Sequence, residues 1–206
     1  TFIFIYLLTK KILKTLLFFF IINLLLFSTL TYIIIKDTKN LQNLEHEESL
    51  FILKDKENIE LITIVNFSNP TLKTLTQEQT QTITKKHQEN TLKDLSFHYF
   101  KIFIFDKESF KYTLPPTIEI KGLQPIQKKD ILEGLNNQEP QEKTSFFILA
   151  ISTTLNLKDT QSIYNLISEV KKQNIIITPP IKAILFLSYL PEELLNKILK
   201  LLPQPE

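Results

Sequence analysis

Residues Thr15 to Ile35, TLLFFFIINLLLFSTLTYIII, carry no charged side chain, with Lys10, Lys11 and Lys14 before them and Lys36 and Asp37 after. A helix rises about 1.5 Å per residue, so such a run would span roughly 31 Å, close to the hydrocarbon thickness of a bilayer. The run predicts a single-pass transmembrane helix. It exceeds the usual apolar region of a signal peptide, about 7–15 residues, and lacks a small-x-small cleavage pattern, so it reads as an uncleaved signal-anchor. Three lysines without an acidic residue precede it, which places the N-terminus in the cytoplasm and residues 36–206 outside. Asn23 stands mid-span, as a tolerated polar residue or a hydrogen-bonding partner for a neighbouring helix. The stretch before it, TFIFIYLLT, is also apolar.

Composition narrows what the remainder can do. The 24 basic residues are all lysines, set against 22 acidic ones, and Cys, Met and Trp are absent. A near-neutral chain without arginine or clustered positive charge is a poor nucleic-acid binder. Without cysteine there is no disulfide framework, thiolate metal site or cysteine nucleophile, so the fold rests on packing alone. Only Gly122 and Gly134 are present, which rules out a glycine-rich phosphate loop. The scarcity of residue types with guanine-containing codons points to an AT-rich gene, bacterial or organellar.

Beyond residue 48 the pattern turns to alternating apolar runs. SLFILK and IELITIVNF flank the polar DKEN and predict a hairpin. The Thr- and Gln-rich stretch 71–93 is a weak helix or a polar connection, with Pro70 suited to a first helical position. LSFHYFKIFIFD is dense in aromatic and β-branched residues; with FKYTL it predicts a second hairpin. Alternation sets Phe97, Tyr99, Phe103 and Phe105 on one face of that strand and His98 on the other, as in a central strand or one with a partner-facing side. His98 is expected packed and hydrogen-bonded, His87 exposed. The run Glu45-His46-Glu47-Glu48 reads as solvated charge, since adjacent helical residues point apart.

The next segment, TIEIKGLQPIQKKDILEGL, predicts strand, turn and short helix. Its Ile118, Ile120, Gly122, Leu123, Ile126, Ile131, Leu132 and Leu135 resemble the opening of a POTRA repeat, the β-α-β module of envelope transport and cell-division proteins, although NNQEPQEKT then departs from that pattern. SFFILAIS is expected as a buried strand, TQSIYNLISEVKKQ as an amphipathic helix capped by Asp159 or Thr160, and NIIIT as a strand parallel to the first. This unit resembles in topology the ectodomains of single-pass motor-coupling proteins. The terminal IKAILFLSYLPEELLNKILKLLPQPE predicts two helices joined at Pro191. It resembles the helical repeat of flagellar switch proteins and magnesium-transporter N-domains, and LPEELLNKIL resembles an F-box start; neither transfers a function.

The expected fold class is α+β: a single transmembrane helix followed by a mixed α/β ectodomain with hairpins, one βαβ unit and a C-terminal helix pair. Four segments follow: an apolar segment and anchor (1–35), a juxtamembrane linker (36–48), a β-rich subdomain (49–114), and an α/β subdomain ending in a helical hairpin (115–206). The expected role is an envelope scaffold or interaction domain in a larger membrane assembly. An organelle-encoded accessory subunit of a respiratory or ATP-synthase complex, and an enzyme whose site assembles only in the fold, are the alternatives. The expected partners are the bilayer, other membrane or envelope proteins and, as an option, a second copy of the chain, with no nucleic acid. No catalytic, cofactor or metal residue is expected, and the candidate contact surface is Phe97, Tyr99, Phe103, Phe105 and Phe110.

Overall fold

The computed structural model describes residues 12–26, 28, 29, 32, 36, 37, 44, 46–68, 75–120, 122, 124–137, 139–156 and 159–200. The chain divides into two compact units, Thr1–Asn40 and Leu41–Glu206. In the first, α1 (12–26) is a helix whose apolar side chains are exposed along its length. Asn23 turns its amide back to the Phe19 carbonyl at 2.7 Å, bonding within its own helix. Among the described residues no helix is long and apolar enough to cross a membrane. This overturns the expected signal-anchor, and with it the single-pass envelope assignment and its N-in, C-out topology. The longest unbroken run of described helical residues, 12–26, rises about 22 Å, short of a bilayer core of about 30 Å, and residues 28, 29, 32, 36 and 37 are helical as well. Residues 27, 30, 31 and 33–35 of the apolar run, like residues 1–11, lie outside the described residues.

The second unit is α+β, with helices on a mixed four-stranded sheet of order β2-β1-β3-β6. Strands β1 (Ser49–Asp55) and β2 (Asn58–Val65) form the expected hairpin, with Lys56 at φ 57° in its turn. A positive φ is tolerated at such a tight connection because it matches the twist of the flanking strands. Strand β3 (Ile102–Asp106) runs parallel to β1, and β6 (Ile175–Thr178) runs antiparallel to β3. Side chains alternate across the sheet. Phe51, Leu53, Phe103, Phe105, Ile175 and Ile177 enter the main core, while Leu50, Ile52, Ile102 and Ile104 enter a second core on the opposite face.

The second core is closed by α2 (Gln77–Gln88) and a 3₁₀ turn, Leu92–Phe97, through Ile83, Leu92 and Leu95. Despite its Thr and Gln content, α2 holds because Thr76 and Gln79 form a reciprocal capping box. Pro70 and residues 71–74 lie outside the described residues. The second hairpin does not form. The Asp106 carboxylate accepts the Glu108 amide at 3.1 Å, turning the chain through a 3₁₀ segment, Lys107–Ser109, into α3 (Phe110–Thr113). Pairing partners for β3 come instead from distant β1 and β6. His98 is exposed at the end of the 3₁₀ turn rather than packed.

The main core lies under the remaining helices. Strands β4 (Thr117–Ile118) and β5 (Ile126–Gln127) form a small separate hairpin leading into α4 (Lys128–Gly134). Gly134 is required there, because a Cβ would overlap the Phe146 ring. SFFILAIS is not a strand but part of α5 (Pro140–Thr154), which starts at Pro140. It buries Phe147, Ala150, Ile151 and Thr154, the i, i+3, i+4, i+7 stripe of a helix. The expected βαβ unit is therefore helix, helix, strand, and β6 pairs antiparallel with β3. The other expectations for this region hold: α6 (Thr160–Lys171) is capped by Asp159, and α7 (Lys182–Ser188) and α8 (Glu192–Lys200) form the terminal pair.

Aromatic rings join these layers. Phe51 stacks on Phe103 at 4.9 Å between centroids, Phe105 stacks on Phe110 at 5.3 Å, and Phe147 meets both Phe105 and Phe110 edge-on. Such pairs add about 0.5–1.5 kcal/mol each beyond area burial. Phe105→Ala leaves a void among four rings, so denaturant unfolding should show a loss of about 3–5 kcal/mol with an unchanged m-value.

Candidate functional site

The aromatic residues expected as a contact surface do not share one face. Phe103, Phe105 and Phe110 are fully buried in the main core, and Tyr99 is half-buried against the second. Phe97 is 91 % exposed. The histidines belong to different local settings. His46 Nδ1 lies 2.8 Å from Ser68 Oγ, in a turn where the Asn66 amide donates to the His46 carbonyl. His87 is half-buried on α2; burial, and next the Lys54 charge, pull its imidazole pKa down against Glu57. Among the described residues no group of three His, Cys, Asp or Glu side chains is placed to hold a metal ion. Glu45 lies outside the described residues.

An open apolar groove flanks β6. Asp106 N donates to Asn174 O at 2.8 Å, and the register pairs Ile104 with Ile176 and Ile102 with Thr178. Antiparallel pairs alternate in hydrogen bonding, so Ile176 bonds to β3 while the N–H and C=O groups of Ile175 and Ile177 point away from the sheet. Strand β6 is the last of its sheet among the described residues, yet Ile175 and Ile177 are buried, so its outer side is largely covered and Ile176 is the exposed residue of the strand. Beside it runs a groove of about 560 Å³ between the end of α6, β6 and α7, with Ile181, Ile184, Leu185 and Tyr189 in its wall. Ile176 is 39 % and Tyr189 78 % exposed. Sequence reasoning placed NIIIT in a covered parallel sheet and missed this edge. The brevity of the segment and its closing Pro179-Pro180 were the available signal, since proline after a short strand favours an edge.

A second constellation lies at the carboxyl ends of the parallel strands β1 and β3, where ligands collect in many open sheets. Leu53 pairs with Leu61 and Lys54 with Ile59, which makes Glu60 the extra residue of a β-bulge. Bulges re-aim side chains, and this one turns Glu60 to Lys107 at 2.9 Å and Lys143 at 2.8 Å. Lys107 also meets Asp55 at 3.3 Å, and Lys54 meets Asp106 at 3.7 Å. Burial raises the Glu60 pKa, but hydrogen bonds from Lys143 and Lys107, together with their charges, outweigh it and hold the carboxyl below its ordinary range.

A carboxylate with a depressed folded-state pKa stabilises above its unfolded value and loses that contribution as pH falls through the folded one. For Glu60 the stabilisation is complete above about pH 4.3 and disappears below it. Glu60→Gln should therefore cost about 2 kcal/mol near neutrality, where two charge-assisted hydrogen bonds are weakened. In urea unfolding across pH, the gap between the parent and Glu60→Gln should close in acid. A gap independent of pH would contradict the assignment.

Comparisons with protein-family models, with curated proteins and with solved structures give no match.

Proposed function

We propose that this chain is an interaction module of a larger assembly, one that receives an extended apolar segment of a partner in the groove beside β6. The observation that carries this reading is an apolar groove whose wall leaves Ile176, Leu185 and Tyr189 exposed to solvent. Ile175 to Thr178 contain no charge and the described strand has no bulge, although its shortness and the Pro179-Pro180 that closes it limit strand pairing there.

The charge constellation around Glu60 supports a functional role less. Each of its carboxylates is held by a lysine, and Glu60 is held by two. A general base needs a free lone pair near the operating pH, whereas these contacts favour a permanently ionised carboxylate.

Selection of a random peptide library on the intact chain tests the reading without presuming a sequence. Peptides with apolar residues at alternate positions should be enriched, and Leu185→Asp, which places charge in the groove wall, should reduce their binding by at least about tenfold. Enrichment of helical spacing, or binding indifferent to Leu185→Asp, would contradict it.

A further inference from the structure

The path of the chain gives the β6 groove two unlike ends. Strand β6 follows the end of α6 and runs to Pro179-Pro180, after which α7 returns along the groove. At the α6 end the lining includes Lys171, Gln173, Ser188 and Tyr189, whereas Ile177, Pro180 and Ile181 line the far end. The Lys171 Nζ lies 3.5 Å from the Leu190 carbonyl, so its side chain reaches from the end of α6 to the end of α7 and closes that end of the groove with a positive charge. No carboxylate is among the described residues that line the groove. Glu169, the nearest acidic residue in sequence, commits its two oxygens to Lys172 at 2.7 Å and Asn174 at 2.8 Å.

These features discriminate among anionic occupants. The groove follows the four residues of β6, about 13 Å, which is the length of about four extended residues. An internal acidic stretch would have to continue past Lys171, where the side chain spans the end. A fatty-acid-like carboxylate needs its alkyl chain enclosed, because pockets bury most of a small ligand's surface, yet Ile176, Leu185 and Tyr189 leave this groove open to solvent. A chain terminus satisfies both conditions. It stops where Lys171 stands, and its backbone groups on the open side are hydrated.

We infer that the β6 groove takes the C-terminal tail of a partner protein, about four extended residues with apolar side chains at alternate positions and a free terminal carboxylate facing Lys171. The inference rests on the reading of the groove as a docking site for an extended apolar segment. In the bound state the carboxylate accepts a hydrogen bond from the Lys171 ammonium, and the apolar side chains lie against Ile181, Ile184 and Leu185.

Three synthetic peptides labelled at their N-termini, titrated against the intact chain by fluorescence polarisation, test this. Each alternates isoleucine with threonine. The first ends on a free carboxylate, the second on an amide, and the third continues past the same residues into a run of serines. The free-acid peptide should bind at least about fivefold tighter than the other two, with the margin shrinking as salt is raised. Lys171→Gln should remove the margin and leave the affinity of the amide peptide unchanged, while Lys171→Arg should keep it. Lys171 is exposed, and each variant's fold is checked by its thermal transition.

Equal binding of the free-acid and amide peptides, or of the free-acid and extended peptides, would overturn the inference while leaving the docking groove intact. Failure of every peptide to bind, or binding indifferent to Leu185→Asp, would overturn both. Dodecanoate binding more tightly than the free-acid peptide would identify a lipid-like carboxylate as the occupant and overturn the inference.

Discussion

The contact of Phe103 and Phe105 with rings from elsewhere in the chain is the constraint on which the rest of the second unit depends. Both project from one five-residue strand. Phe51 reaches both from β1, while Phe110 from the helix just beyond the strand and Phe147 from α5 meet Phe105. Because β3 also sends Ile102 and Ile104 into the opposite core, it must be covered on both faces and both edges. That requirement recruits α2 to one side and α5 and α6 to the other. It also leaves two strands, β2 and β6, at the outside of the sheet.

The two ends of this sheet are resolved differently. At the β2 side, Glu60 rides on a bulge and is tied to α5 by Lys143, so charge and local twist guard that strand. Bulges and inward-facing charges are effective barriers to unwanted pairing. At the β6 side no such charge lies on the strand itself. Protection there comes from the shortness of the strand, from the Pro179-Pro180 that closes it and from the burial of Ile175 and Ile177, which leaves Ile176 exposed beside the groove. The unequal treatment of the two edges is the physical basis for treating β6 as a contact surface.

Much of this architecture is legible in the residues. The β1–β2 hairpin follows from alternation around DKEN, α6 from its apolar stripe and Asp159 cap, and the α7–α8 pair from Pro191 between two apolar runs. SFFILAIS misled because a continuous short apolar run has no period of its own; only burial at Phe147, Ala150, Ile151 and Thr154 shows the helix. FKYTL misled because a strand-like composition yielded to a side-chain cap at Asp106, a local hydrogen bond that hydropathy does not register. For the N-terminal run, length and apolarity suggested an anchor, but among the described residues no spanning helix follows. The candidate edge was hidden for a different reason. Whether IIIT is central or peripheral depends on strand order, which pairs β6 with a strand some seventy positions earlier.

Titration of the intact chain with an extended peptide that alternates isoleucine with threonine, followed residue by residue by NMR, tests the groove most directly. The resonances of Ile176, Leu185 and Tyr189, which line it and are exposed, should shift selectively. Shifts confined to other parts of the chain, or none at all, would contradict the account.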